Sequence, residues 1–433
     1  MTTSSTLRVQ VPGDKSLTHR ALMFAAAARG ESRLSGLLIG ADCQDTATIL
    51  RSLGATIPEL PHDGGEIRIH SDGLDAWHAS DGVLDCGNSG TTVRLMMGLL
   101  AGRPFCTTLT GDASLRSRPM RRVTDPLGEM GARVRELESA DRLPVELCGG
   151  PLQSLSHRSP KASAQIKSAL LLAGLSGGAA VDLWEPGLSR DHTERIMRSL
   201  GVRVEGRAAE DGGWTVSFEP PPGPLPPLEM AVPGDPSSAA FILAVALLSR
   251  DREVMVPAVG INPTRTGFLD AAARMGAQIE VLNERESGGE PVADLVARPA
   301  ALRAIEIGGA EVPSMIDELP VLAVLAARAE GETVVRGAEE LRAKESDRIS
   351  AMVGNLRAIG VEAEELPDGF VVQGTDRPLQ GRVRTFHDHR IAMAFGVLNA
   401  LPGADLEIEA PEIADVSFPG FWELVRSLGG RGS

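Results

Sequence analysis

The chain has 433 residues, 42% hydrophobic and 23% charged, the proportions of a soluble globular protein large enough for two or three domains. Lys plus Arg number 43 against 58 Asp plus Glu, a formal charge of -15, and with no Tyr and few other aromatics this argues against a nucleic-acid partner. There is no run of about 18 uncharged apolar residues and no basic segment followed by an apolar block at the N-terminus, so a cytoplasmic, unanchored protein is expected.

Along the chain, Val11-Pro12-Gly13-Asp14 opens an Ala-rich helical run, and the same tetrapeptide returns as Val232-Pro233-Gly234-Asp235 before another. A second marker, apolar-Gly-small, follows an amphipathic stretch at Leu53-Gly54-Ala55, Met130-Gly131-Ala132, Leu200-Gly201-Val202, Met275-Gly276-Ala277, Ile359-Gly360-Val361 and Leu428-Gly429-Gly430. Gly there closes a helix in the left-handed conformation before a strand. The spacing predicts six α/β (α+β) repeats of βαβαββ type, starting near Val11, Leu84, Ser163, Val232, Ser314 and Phe386. The Pro-rich Glu219–Leu228 reads as a stiff connection. The expectation is therefore a first lobe at 14–231 and a second at 1–13 plus 232–433, three repeats each, with crossings near 13 and 228–232. The first dozen residues are expected to pair with the second lobe, and paired crossings favour closure around a ligand. Arg285–Val292 reads as a surface loop.

Several repeats begin with unusual polarity. Asp14-Lys15-Ser16-Leu17-Thr18-His19-Arg20, Gly87-Asn88-Ser89-Gly90-Thr91-Thr92-Val93-Arg94, Ser163-Ala164-Gln165-Ile166-Lys167-Ser168 and Asp388-His389-Arg390 each put small or capping residues at a helix start. Each also carries Lys or Arg within a few residues of the helix start: Lys15 and Arg20, Arg94, Lys167 and Arg390. Unpaired N–H groups and the positive dipole end make such starts anion sites once a cation joins them. Each alone is most often a plain N-cap; their recurrence in an acidic chain favours a polyanionic ligand. Ser114–Arg122 packs four arginines into one segment, either a solvated basic turn or a clamp for phosphate or carboxylate. In Glu340–Arg348, Lys344 and Arg348 share a face if the segment is helical; a surface of alternating charge has the same pattern. Asp317 and Glu318 upstream are first-turn acids of a helix or, beside an anion site, groups for proton transfer. The cysteines Cys43, Cys86, Cys106 and Cys148 have no Cys-x-x-Cys spacing, so no metal site and no disulfide framework is expected, and Cys106 reads as an inert strand residue.

Taken in order, Asp14-Lys15-Ser16 with Arg20, Gly87–Arg94, Arg116-Ser117-Arg118-Pro119, Ser163-Ala164-Gln165, Lys344–Arg348 and Asp388-His389-Arg390 resemble the EPSP synthase family over nearly the whole chain. The resemblance implies a two-lobe enolpyruvyl transferase-like fold and transfer of the enolpyruvyl group of phosphoenolpyruvate to the 5-hydroxyl of shikimate 3-phosphate, with release of phosphate. It implies a cytoplasmic monomer of the shikimate pathway to chorismate and aromatic amino acids, with no metal and no cofactor. By the resemblance, Lys15, Ser16, Arg20, Ser163, Ala164, Gln165, Ser189, Asp317 and Lys344 bind shikimate 3-phosphate. Lys15, Gly90, Arg118, Gln165, Arg348 and Arg390 bind phosphoenolpyruvate. Asp317 accepts the 5-hydroxyl proton, and Glu345 or Lys15 protonates C3. Val416-Ser417 stand where some members carry a Lys, Glu340 where others have Asn, Ala164 where some have Ser, and His192 near a position often Tyr. Gly90 is retained, which implies inhibition by glyphosate. The rival readings are the sister transferase acting on UDP-N-acetylglucosamine, which usually carries a reactive loop Cys or Asp, and a non-catalytic anion binder; an RNA-end-processing role is disfavoured by charge.

Overall fold

A computed structural model describes residues 6–61 and 63–429. The chain divides into two compact units, each with its own apolar core. The N-terminal unit is Gly13–Val232 with Glu286–Glu290; the C-terminal unit takes the residues up to Pro12, Pro233–Arg285 and everything from Pro291 onward.

After β1 (Leu7–Arg8), the first repeat runs α1 (Lys15–Ala27), β2 (Arg29–Ser35), α2 (Ala41–Ser52) and β3 (Ile67–Asp72). The second comprises β4 (Leu84–Asp85), α3 (Gly90–Ala101), β5 (Cys106–Thr110), α4 (Ala113–Arg116), α5 (Arg121–Met130), β6 (Arg133–Glu136) and β7 (Val145–Cys148). The third comprises β8 (Leu155–Arg158), α6 (Ala164–Gly177), β9 (Val181–Glu185), α7 (His192–Ser199), β10 (Val204–Ala208) and β11 (Trp214–Phe218), followed by β12 (Glu229–Ala231). In the C-terminal unit the fourth repeat has α8 (Pro236–Leu248), β13 (Val254–Gly260), α9 (Gly267–Arg274), β14 (Gln278–Ser287) and β15 (Glu290–Arg298). The fifth has β16 (Glu306–Ile307), α10 (Leu319–Ala326), β17 (Glu332–Val335), α11 (Arg348–Ala358), β18 (Ala363–Leu366) and β19 (Gly369–Gln373). The sixth has β20 (Gln380–Val383), α12 (His389–Asn399), β21 (Asp405–Ile408) and α13 (Phe421–Gly429).

Each repeat owns one sheet, and the order is the same wherever four strands are present: β4-β5-β7-β6, β8-β9-β11-β10, β16-β17-β19-β18 and β1-β13-β15-β14. The first strand runs parallel to the second, which is the signature of a crossover through the first helix. Two sheets borrow that first strand: β12 pairs with β2 of the first repeat, and β1 with β13 of the fourth.

The first helix of each repeat is apolar around its whole circumference, so it is stable only when enclosed. In α6 every residue from Ile166 to Ser176 is buried, and in α8 every residue from Ser237 to Leu247. Each enclosed Leu contributes about 1.5–3 kcal/mol. The second helices are one-sided: α5 buries Val123, Thr124, Leu127 and Met130 and exposes Arg121, Arg122 and Asp125. The marker glycines do what their position demands. Gly54, Gly131, Gly201, Gly276 and Gly360 have φ of 114, 114, 78, 90 and 91°; in the sixth marker Gly429 is instead the last residue of α13, and Gly430 lies outside the described residues. Both repeated tetrapeptides end in a cap: Asp14 accepts from the Leu17 N–H at 2.8 Å and Asp235 from the Ser237 N–H at 2.7 Å.

Three expectations need correction. Cys106 and Cys148 form a disulfide, because β5 and β7 place them directly opposite one another with Cα atoms 4.0 Å apart; a sequence separation of 42 hid the pairing. Cys106 is accordingly exposed and bonded rather than an inert core residue. Arg285–Val292 is the tip of the β14–β15 hairpin, where Gly288 and Gly289 make the turn and Glu290 is buried. Lys344 and Arg348 do not share a helix face, since α11 begins only at Arg348 and Asp347 is its N-cap.

Candidate active site

In the N-terminal unit the sequence-predicted residues gather at the starts of α1, α3 and α6. Lys15, at the first position of α1, pairs with Asp42 of α2 at 2.5 Å. Arg20, one turn on, is buried and held on three sides: Nε donates to Thr193 Oγ1 at 2.8 Å, one terminal nitrogen to the Ser16 carbonyl at 3.0 Å, the other to Ser168 Oγ at 2.9 Å. Burial pulls its pKa down to about 10, against Glu194 and Asp14, which favour the cation. Arg20 is thus a preset charge with its geometry fixed before any anion arrives.

Ser163 is the N-cap residue of α6 and makes no side-chain cap bond; Ala164 and Gln165 follow, all half-buried. The Ser189 hydroxyl is committed to Glu185, at 2.7 and 2.9 Å from its two oxygens. Glu185 also pairs with the buried Lys167 at 2.9 Å, and Lys167 with Glu194 at 2.8 Å. His192 binds Glu290 through Nδ1 at 2.9 Å, both groups buried.

At the start of α3, Ser89 accepts from the Thr92 N–H at 3.1 Å. The Arg94 guanidinium donates to Gln165 Oε1 at 2.6 Å, and its Nε has no hydrogen-bond partner although it is buried. Burial, then Arg122 and Arg118, push its pKa down to about 9, and no carboxylate counters them. Arg118 donates to Asn88 Oδ1 at 2.7 Å. A Cβ on Gly90 would lie 2.7 Å from an Arg94 terminal nitrogen and 3.3 Å from one of Arg118. Arg94 is thus a buried cation whose pKa no carboxylate raises, set beside Arg118, which suits an anion site. Arg94 belongs to the Gly87–Arg94 motif but is not among the ligands the resemblance implies; its signal in the sequence is a cation inside an otherwise apolar helix.

The C-terminal unit holds a second cluster, and here acids and cations are paired. Arg348 is fully buried, with Asp388 Oδ2 at 2.8 Å from Nε, Glu345 Oε2 at 2.5 Å and Asp317 Oδ1 at 3.4 Å. These acids hold its pKa above the usual range despite burial. Asp317 also faces Lys344 at 3.7 Å, and its carbonyl accepts from Arg390 at 2.9 Å. Asp388 caps α12 through the Arg390 N–H at 2.9 Å. Desolvation raises the Glu345 carboxyl, but Arg348, His389 and Arg390 outweigh it and bring the pKa to about 2. Burial and Arg390 lower His389 to about 4, so it is neutral at pH 7. Asp317, Lys344, Glu345, Arg348 and Arg390 therefore come together, with His389 and Asp388 as neighbours to which the resemblance assigns no role. In the late segment Val416 is exposed, and Phe418 packs edge-on against Phe421 at 5.4 Å. Among the described residues no group of three or more His, Cys, Asp or Glu is placed to hold a metal ion, and no helix is long and apolar enough to cross a membrane.

Comparison with known proteins bears on the chain as a whole. The 3-phosphoshikimate 1-carboxyvinyltransferase of Desulfitobacterium hafniense is 49% identical over 423 residues, covering 97% of this chain and 94% of its own. That of Geobacter sulfurreducens is 46% identical over 426 residues, 98% of this chain and 96% of its own. A solved structure of EPSP synthase from Acinetobacter baumannii superposes with a TM-score of 0.88 at 39% identity, covering 98% of this chain and 96% of that one. The enolpyruvyl transferase NikO from Streptomyces tendae shares the fold, with a TM-score of 0.77 at 18% identity over 98% of this chain and 95% of that one. With residues 3–425 also matching the family model for EPSP synthase (3-phosphoshikimate 1-carboxyvinyltransferase), the chain belongs to the EPSP synthase family.

Proposed function

We propose that this chain transfers the enolpyruvyl group of phosphoenolpyruvate to the 5-hydroxyl of shikimate 3-phosphate and releases phosphate, as a step of the shikimate pathway. The observation that carries the reading is its 49% identity, along 97% of the chain, to a protein named for that reaction. The chemistry of the two clusters supports it. Arg20 with Ser16, Lys15, Ser163, Ala164, Gln165, Ser189 and Lys344 serves shikimate 3-phosphate. Lys15, Gly90, Arg118, Gln165, Arg348 and Arg390 serve phosphoenolpyruvate, and Arg94 joins them as the buried cation whose charge the substrate anion offsets. Arg348, paired with Asp317 and Glu345, also orients these two acids and sets the local charge.

Two proton transfers are needed. Asp317, oriented by Lys344 and Arg348, takes the proton of the attacking 5-hydroxyl while C3 of phosphoenolpyruvate gains one and C2 forms the new C–O bond. In the second step C3 loses a proton, the double bond re-forms and phosphate leaves. Glu345 lies low, at about 2, in the protein alone. Anionic substrate beside Arg348 and Arg390 offsets their pull and raises it, so that it can carry the C3 proton in both directions. The same reading makes the protein a cytoplasmic monomer that uses no cofactor and is inhibited by glyphosate.

The test is inorganic phosphate release from purified protein with shikimate 3-phosphate and phosphoenolpyruvate, with UDP-N-acetylglucosamine as the control acceptor. Release is expected with the first acceptor alone. Asp317→Ala should lower kcat by about 10²–10⁴-fold and leave shikimate 3-phosphate binding within a few-fold. Release only with the control acceptor would overturn the assignment, and an active Asp317→Ala would remove that residue from its role.

A further inference from the structure

Three helix starts meet over a buried polar chain that the proposed chemistry does not use. His19 Nδ1, on α1 one turn after Lys15, lies 2.8 Å from Thr46 Oγ1 of α2 and 3.4 Å from Thr92 Oγ1 of α3. Thr46 and Thr92 are 2.8 Å apart, and the Thr92 hydroxyl is 2.7 Å from Oγ of Ser89, the N-cap of α3. His19, Thr46 and Thr92 are fully buried, and Ser89 is 2% exposed. The hydroxyl protons have more than one arrangement, since Thr46 has one proton to share among Thr92, His19 and the Asp42 carbonyl. In each of them His19 Nε2 is left buried without a partner. An apolar core would avoid that cost, so stability alone does not account for the chain. Thr46 also reaches the carbonyl of Asp42, at 3.1 Å, and the Asp42 carboxylate holds Lys15.

We infer that His19 is a positioning residue, which through Thr46, Thr92 and Ser89 fixes the start of α3, with Gly90 and Arg94, in register with Lys15 on α1. The inference rests on the proposed reaction for its kinetic consequence. Its geometric content does not. Packing alone would hold α1 and α3 side by side, but apolar contacts tolerate sliding by a fraction of an ångström, whereas a hydrogen-bonded chain is sensitive to it. The phosphoenolpyruvate residues are spread across this seam, and Arg20 with its partners Ser168 and Thr193 is not part of it.

Two pairs of variants test this: His19→Leu with His19→Asn, and Thr92→Val with Thr92→Ser. His19→Leu and Thr92→Val should raise KM for phosphoenolpyruvate by about tenfold and leave KM for shikimate 3-phosphate within about twofold. His19→Asn and Thr92→Ser, which keep a hydrogen-bonding group at the same place, should restore it. Hydrogen exchange supplies a readout independent of turnover: amides 89–93 should lose protection in His19→Leu and Thr92→Val, while amides at the start of α6 do not. If wild-type protein releases no phosphate, the functional reading fails and exchange alone decides the positioning role. Unchanged exchange at 89–93, equal shifts in both KM values, or conservative variants as impaired as the apolar ones would each overturn it.

Discussion

Gly90 shows how a single missing side chain shapes a site. Its backbone is ordinary, so no strain compels Gly there; space does, with two arginine nitrogens at 2.7 and 3.3 Å from where a Cβ would lie. Both are the far ends of flexible side chains, so the fold should tolerate Ala while the cations shift. Gly90→Ala is expected to leave Tm within about 2 °C, to raise KM for phosphoenolpyruvate severalfold, and to weaken glyphosate inhibition by more than that. Inhibition curves at limiting phosphoenolpyruvate check it, and identical curves for the two proteins would refute it. Other residues were less legible. Arg348 reads in sequence as one charge of an alternating surface, yet it is fully buried among three carboxylates supplied from separate stretches of chain. The cysteines were misread for the same reason, since their partnership depends on strand register rather than on spacing.

Among the elements, α6 carries the sharpest conflict between local rule and context. A lone Lys in an apolar run is ordinarily solvated, but Lys167 is fully buried and joins α6 to β9 through Glu185 and to α7 through Glu194. Burial alone would lower its pKa, and the two acids more than reverse that, so it stays an ammonium. Lys167→Met leaves two carboxylates buried without their cation, which should cost about 3–5 kcal/mol. Denaturant midpoints measure this, and adding Glu185→Gln and Glu194→Gln should recover part of the loss. A midpoint unchanged in Lys167→Met would mean that water already satisfies the acids. Helix ends, by contrast, were readable: Asp14, Ser89, Asp235 and Asp388 all accept from backbone N–H groups of the helices they precede. A cap needs only its next few residues, so sequence suffices to find it.

For the molecule as a whole, acid stability gathers the effects of its buried titratable groups. Burial, Lys15 and Arg20 hold His19 down to about 3 against Asp42 and Asp14, and burial and Arg390 hold His389 to about 4; both are near 6.5 when unfolded. Between those values the unfolded chain binds protons that the folded chain refuses, so folding weakens as pH falls from 6.5 towards 4. Glu345 acts in the same direction lower down, since its pairing is lost as pH falls from its unfolded value towards about 2. The histidines together should account for a loss on the order of a few kcal/mol between pH 6.5 and 4. Tm measured across that range should fall with pH, and less steeply in His19→Asn; an equal slope would show that His19 protonates without unfolding.

The amino-acid sequence by itself determined the six modules, their helix starts, the glycines that end their helices and the family to which they belong. These are short-range matters, settled by φ, capping and hydrophobic period within a few residues. Tertiary structure alone decided that β12 closes the first sheet and β1 the fourth, that Cys106 meets Cys148, and that Arg20, Lys167 and Arg348 are buried among acids and hydroxyls. Each of those depends on groups far apart in the chain, whose separation once folded is set by packing and register, and no local pattern encodes it.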